Sequence, residues 1–434
     1  MHGPQQPYPP QHPYQQPYPF QQYQQQPPKK KRTGLIIAAI TGVLVLVGGG
    51  VTAAVLITND GKPAARQEAG PPDEDVLEEK TTAEAVRYGD VTVIDACTLM
   101  SAAVLEETGF GDVAHDLHSQ TYVEKSVPAA ETTVKDAKDG ISVCRYDASK
   151  DDRAEMLSLT VQQRPFNDLL PAEVIGDGIE MTIGGLKAFA KNPDGRKPDD
   201  FFTRIYSADG RTSVHLNASR LADNKELDYK AAHAKLLEKI ALNLAKATGA
   251  QTRYAYTGRY RTVPPACDIL TGKLFEELAQ VKDSGVVQTE IGESEGRQES
   301  TPKDTNVTRY FYFTRQMCQR SSPEALKRSG VSLKMQLSVH RDADMARNYE
   351  PECDPSSQSR KTLGEAKNSQ EKVGDGDACA FPIGNSLVFS FIVGRTQVRL
   401  TPYGSWAPEN VDQFITKFTP VAQKVVDEVR KAIG

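Results

Sequence analysis

The chain has 434 residues, with 52 Lys and Arg against 57 Asp and Glu, for a formal net charge of −5. Hydrophobic residues make up 38% and charged residues 25%, which excludes a collagen, a long coiled coil and a multi-span membrane protein. Four of the basic residues (Lys29, Lys30, Lys31 and Arg32) precede the first acidic one; the remaining bulk is acidic and lacks the excess of positive charge that nucleic-acid binding needs.

Residues 1–32 open with Gln, Pro and Tyr at most positions, a composition without the aliphatic side chains that build a core. The expectation is a disordered cytoplasmic tail, either merely solvated or using Tyr8, Tyr14, Phe20 and Tyr23 as contacts. From Leu35 to Ile57 the chain carries no charge, and as a helix it would span about 34 Å, enough for a bilayer core. Residues 33–58 are therefore expected to form one transmembrane helix, with the Lys29–Arg32 flank inside and in contact with anionic lipid. Small pairs at Ala38/Gly42 and Gly50/Ala54 suit a weak homodimer through the span. Residues 59–87, acidic and without a hydrophobic period, read as a flexible linker.

Beyond the linker the chain repeats itself. Asp95-Ala96-Cys97-Thr98-Leu99-Met100 opens residues 88–250, and Pro265-Ala266-Cys267-Asp268-Ile269-Leu270 opens residues 258–434. Each opening leads into a helical stretch, then to a second cysteine, Cys144 or Cys318. An alternating strand follows: Leu157, Leu159 and Val161 in one half, and Leu333, Met335, Leu337 and Val339 in the other. Gly176-Asp177-Gly178 and Gly374-Asp375-Gly376 come next, read as tight turns in which Gly supplies positive φ and Asp bonds its own backbone. Strands at 201–207, 212–218, 387–393 and 396–401 lead to an amphipathic closing helix in each half, with Pro420 kinking the second or marking its true start. The larger offset between the two Gly-Asp-Gly turns places an insertion within 342–372 of the second half.

All six cysteines lie in these repeats. If each half folds alone in the same way, Cys97–Cys144 and Cys267–Cys318 are equivalent bridges and Cys353–Cys379 closes the insertion. No metal is expected, because neither a C-x-x-C pair nor zinc-type Cys/His spacing occurs. Among the histidines, His115 and His118 read as loop surface, His215 and His340 as solvent-facing on strands, and His233 as core or half-buried on a helix. No nucleophile elbow, P-loop or zinc-protease motif is present, so no catalytic residue and no cofactor are expected. Trp406, the one tryptophan, stands near Tyr403 before the last helix and reads as a lid over that helix or as a binding anchor.

These motifs resemble an actinobacterial envelope domain family of unknown function, typically found in lipoproteins. Its members open with an Asp-x-Cys-x-Leu-Leu-Thr-like segment, carry a second Cys before a strand and have a Gly-Leu-Gly-Asp-like turn. The halves also look somewhat like the extracellular sensor domains of mycobacterial serine/threonine kinases. The aromatic residue two after the second Cys is Tyr146 in the first half, but Arg320 takes its place in the second. The resemblance implies an α+β fold and an envelope location, and no activity.

The sequence thus predicts an α+β protein of two similar domains, each an antiparallel sheet with an N-terminal and a C-terminal helix, after a tail and a transmembrane helix. It reads as a single-pass membrane protein with extracytoplasmic domains that bind a ligand or an envelope partner, of sensor or accessory type, and not an enzyme. The alternatives are an envelope enzyme such as a cell-wall hydrolase, or a structural tether.

Overall fold

The computed structural model describes residues 77–82, 84–111, 113–124, 134, 139–147, 156–166, 178–191, 202–219, 229–300, 307–326, 330–348, 352–353 and 366–433. A strand β1 (Leu77–Thr82) precedes the first repeat. That repeat contains β2 (Arg87–Tyr88), β3 (Val91–Thr92), α1 (Ala96–Leu99), α2 (Ala102–Thr108), β4 (Ala114–Val123), β5 (Gly140–Asp147) and β6 (Met156–Gln163). It continues through β7 (Ile179–Ile183), β8 (Leu186–Lys191), β9 (Phe202–Tyr206), β10 (Thr212–Ser219) and α3 (Tyr229–Ala245). A connecting strand, β11 (Gln251–Tyr256), leads to α4 (Ala266–Ile269), α5 (Gly272–Ala279), β12 (Val286–Ser300) and β13 (Val307–Ser321). The second repeat ends with α6 (Pro323–Leu326), β14 (Val331–His340), α7 (Ala343–Asn348), β15 (Lys367–Asn368), β16 (Cys379–Ile383), β17 (Ser386–Val393), β18 (Thr396–Gly404) and α8 (Val411–Ile433).

Local chemistry sets the helix starts. Asp95 accepts from the Cys97 amide, Ser101 from Val104 and Thr271 from Leu274, so side-chain caps fix α1, α2 and α5. Gly109, at φ +100°, ends α2 in the left-handed conformation. In β5, β6 and β14, alternate residues face the helices and are buried, among them Cys144, Leu159 and Met335.

The sheet joins what the sequence divides. Its strands run β15-β16-β17-β18-β14-β13-β12-β4-β5-β6-β10-β9-β8-β7, with β2 and β3 off this path. The order mirrors itself about the antiparallel β4–β12 pair, where Ser119 faces Glu290, His118 faces Ile291 and Gln120 faces Thr289. Two separate helix-flanked domains are therefore overturned: the halves share one antiparallel sheet. The reason is physical, since each repeat begins its sheet with an edge strand whose free N–H and C=O groups need partners, and the two edges satisfy each other. Each repeat keeps its own apolar core, one around Leu236 and Ile240 of α3 and the other around Phe414 and Phe418 of α8. A small cluster with Tyr88, Val123 and Val286 bridges the join.

Other expectations also change. Among the described residues no helix is long and apolar enough to cross a membrane, so the transmembrane assignment gains no counterpart in the fold. Residues 1–32 and 33–58 lie outside the described residues. Part of the supposed flexible linker is instead β1, paired in register with β11 from Leu77↔Tyr256 to Thr82↔Gln251. His115 and His118 lie on β4, not in a loop, because Gly109 and Gly111 complete the turn before the strand begins. His340 is fully buried beside Phe313, with ring centroids 5.1 Å apart. Pro420 lies inside α8, which already starts at Val411.

Candidate functional site

The six cysteines pair as Cys97–Cys144, Cys267–Cys318 and Cys353–Cys379. The first two bridges pin each opening helix, α1 or α4, to the strand that carries the second cysteine, β5 or β13. The second bridge fixes one wall of a cleft at the join of the repeats, which includes Cys267.

At the join of the repeats lies a cavity of about 810 Å³, lined from the first repeat by Val86, Tyr122 and Glu124 and from the second by residues of α4, α5 and β13. On its floor stands Arg320, 1% exposed. Period two puts Arg320 on the same inward face of β13 as Cys318, where a charge needs partners. It finds them on three sides. Nε donates to the Leu270 carbonyl, both terminal nitrogens donate to Glu124 across the join, and Nη1 donates to Asp283 at 2.6 Å. Burial alone would lower the pKa of Arg320, but Glu124 and Asp283 outweigh it and raise it. Burial pushes the Asp283 carboxyl up against the pull of Arg320, and burial followed by the nearby Glu124 does the same to Asp268.

The corresponding place in the first repeat is filled differently. Tyr146, two residues after Cys144, packs edge-on against His115, and His115 stacks on Tyr254 of β11 at 4.0 Å. Beside them His118 Nε2 lies 3.1 Å from Asp95 Oδ1, and Asp95 also accepts from the amides of Cys97 and Thr252. Burial raises the Asp95 pKa, yet His118 and these amides hold it below the usual carboxylate range. Gln120 donates to Gln251, so β11 is seated on the first repeat through side chains as well as backbone. An aromatic and hydrogen-bonded plug thus occupies the first repeat, while the charged cleft stays open in the second.

The sequence-derived candidates do not converge on this cleft. Gly176 and Asp177 lie outside the described residues, and Gly178 stands just before β7. Gly374, at φ +75°, packs so closely on the Ile392 carbonyl that a Cβ would meet its oxygen at 2.2 Å. Asp375 does not close its own turn: it accepts from the Gly394 amide and from Arg430 at 2.8 Å, and these two bonds hold its pKa below the usual range. The turn with Gly376 precedes β16, whereas Gly178 precedes the outermost strand β7, so the two motifs occupy different places in the sheet. Trp406 is buried with its ring 5.0 Å from Phe418, and Tyr403 is half-buried on β18. Of the residues named from the sequence, Cys267, Asp268 and Arg320 line the cleft. The sequence signal for Arg320 was its departure from the aromatic residue at the matching position.

Among the described residues, the donor groups close enough to hold a metal ion are Asp95, Cys97 and His118, and Cys97, His115 and Cys144. Both cysteines are tied up in the Cys97–Cys144 bridge, so neither set offers the thiolate that metal binding requires. What the arrangement can do is bind: a concave, part-apolar volume with a few fixed charges, of the size that ligand sites have. Compared with known proteins, the chain matches no family model, no curated protein and no solved structure.

Proposed function

We propose that this chain is a ligand-binding protein of an oxidising, extracytoplasmic compartment, of sensor or accessory type, and that it takes a small ligand in the cleft at the join of its two repeats. The cleft of about 810 Å³ over the Arg320–Glu124–Asp283 cluster carries the reading. A buried ionic cluster in which Arg320 of one repeat holds Glu124 of the other ties the two walls together, which is the preorganisation that binding rewards. Three disulfides with no free cysteine among the described residues support the compartment, since such bridges persist where thiols are not kept reduced. The resemblance of the repeat motifs to an envelope domain family agrees with it.

The test exposes full-length protein to a small-molecule extract of cell envelopes and reads bound species by native mass spectrometry. Val86→Trp, which fills the cleft from the first-repeat wall, is the control. A small molecule retained by the parent and lost in Val86→Trp is expected. Equal retention by both proteins, or none by either, overturns the cleft as the binding site.

A further inference from the structure

We propose that the first repeat has a second, metal-bound state: once the Cys97–Cys144 bridge is reduced, its two thiolates and His115, with the Asp95–His118 pair, form a tetrahedral zinc site. The site is independent of the cleft. While the bridge is closed, its sulfurs bind no metal, yet the donors are already gathered. Those of Cys97, Cys144 and His115 lie within 4.8 Å of one another, and so do those of Asp95, Cys97 and His118. Two thiolates with imidazole at that spacing suit a closed, four-coordinate zinc centre. Asp95 and His118 meet at 3.1 Å, the carboxylate–histidine pairing that orients a ligating ring.

The backbone brings these groups together by an irregularity. Residues three apart on a regular strand face opposite sides, so an unbroken β4 would turn only one of His115 and His118 towards the bridge. The register with β5 instead shifts between His115 and Leu117, with Asp116 as the extra residue. His118 then stands opposite Cys144, and His115 stands opposite Tyr146 on the same inner side. The neighbouring strand leaves room for this bulge: a Cβ on Gly292 of β12 would meet the Asp116 carbonyl oxygen at 2.3 Å. Arg145 holds the Asp116 carboxylate on the outer side.

The second repeat shows that a bridge in this position needs none of it. Opposite Cys318 stands Thr289, opposite Arg320 stands Val287, and the β12–β13 register runs unbroken from Val287 to Ser300. Pro265 takes the place of Asp95 and makes no side-chain cap. Cys267–Cys318 thus staples its helix to its strand without histidine, carboxylate or bulge. Their presence beside Cys97–Cys144 serves something other than the staple.

A dithiol reductant supplies the two electrons. One of its thiolates attacks a bridge sulfur, its second thiol displaces the resulting mixed disulfide, and it leaves as a disulfide while Cys97 and Cys144 become thiols. Zinc then replaces the two thiol protons, which pass to solvent, and imidazole binds in its neutral form. Both sulfurs are buried, so exchange follows local opening of α1, a helix of four residues.

The experiment reduces the full chain with dithiothreitol, removes the reductant by anaerobic gel filtration, and titrates zinc chloride, with cobalt(II) chloride as the spectroscopic probe. A double variant combines His115→Phe, which keeps a ring against Tyr254, with His118→Gln, which keeps a donor for Asp95. The reduced parent is expected to take up about one zinc more than the reduced double variant, and to show thiolate-to-cobalt charge-transfer and tetrahedral d–d bands that the variant lacks. The oxidised parent should show neither. Asp95→Asn should weaken cobalt binding by about 10–100-fold. Circular dichroism follows folding throughout: a reduced parent that unfolds should refold on adding zinc, and the double variant should not. Should the double variant fail to fold when oxidised, His115→Phe alone carries the test, and unchanged affinity in it overturns the assignment. So do equal uptake by parent and double variant, equal binding by the oxidised chain, and a reduced parent that neither binds zinc nor refolds with it.

Discussion

Truncating Arg320 would leave the Glu124 and Asp283 carboxylates facing each other across a buried floor, with the Leu270 carbonyl deprived of its donor. Breaking a buried pair costs about 3–5 kcal/mol, so Arg320→Ala should lower the urea midpoint strongly. Arg320→Lys keeps the charge but not the fork that reaches both carboxylates, and should recover only part of the loss. The titrating groups give a second expectation. Burial lowers the pKa of His233 and of His340 to about 4, below the unfolded value near 6.5. The unfolded chain therefore takes up these protons first, and stability falls as pH drops from about 6.5 towards 4. At pH 5 each of the two accounts for about 2 kcal/mol. Asp95 acts lower: its folded pKa is depressed, so its contribution is present above about pH 4 and is lost as pH falls further. Urea titrations at pH 7, 5 and 3 should show both phases. His340→Phe should flatten the upper phase, and Asp95→Asn the lower.

The elements themselves carry two further expectations. Pro420 interrupts α8 from within, where it removes a backbone donor and crowds the carbonyl one turn back. Pro420→Ala should stabilise the fold by about 1 kcal/mol or more, read as a rise in thermal midpoint. The insertion bridge Cys353–Cys379 closes a separation of 26 residues, against 47 for Cys97–Cys144. In the chain-entropy model these are worth about 3.5 and 4 kcal/mol, so deleting either pair should cost nearly as much as the other. The insertion pair, with Phe381 and Val388, forms a small cluster of its own, separate from the main core. Hydrogen exchange after Cys353→Ala/Cys379→Ala should therefore rise in β16 and β17 first.

At the scale of the molecule, the β4–β12 ladder makes one cooperative body of two repeats. Full-length protein should unfold in a single calorimetric transition over the described region, where two separate domains would give two. Glu290→Pro, which removes a donor from the central strand β12, should split or broaden that transition.

Much of this was legible in the sequence because it is local. Period-two apolar residues mark β6 and β14, capping residues mark the helix starts, and the repeated Asp95/Pro265 openings pair the cysteines within each half. His118 and His340 were misplaced because strand boundaries and the burial of a strand's outer face depend on neighbours far along the chain. The Gly-Asp-Gly motifs looked equivalent by sequence, yet one precedes β16 and the other β7. By itself, then, the sequence determined the duplication, the disulfide frame and the local elements, since each rests on spacing within tens of residues. Only the tertiary structure decided that the two edge strands pair, that β11 plugs the first repeat, and that Arg320 reaches Glu124 across 196 positions of chain to floor the cleft. Those outcomes depend on which free backbone edges and buried charges find partners once the halves are brought together, and no local pattern encodes that.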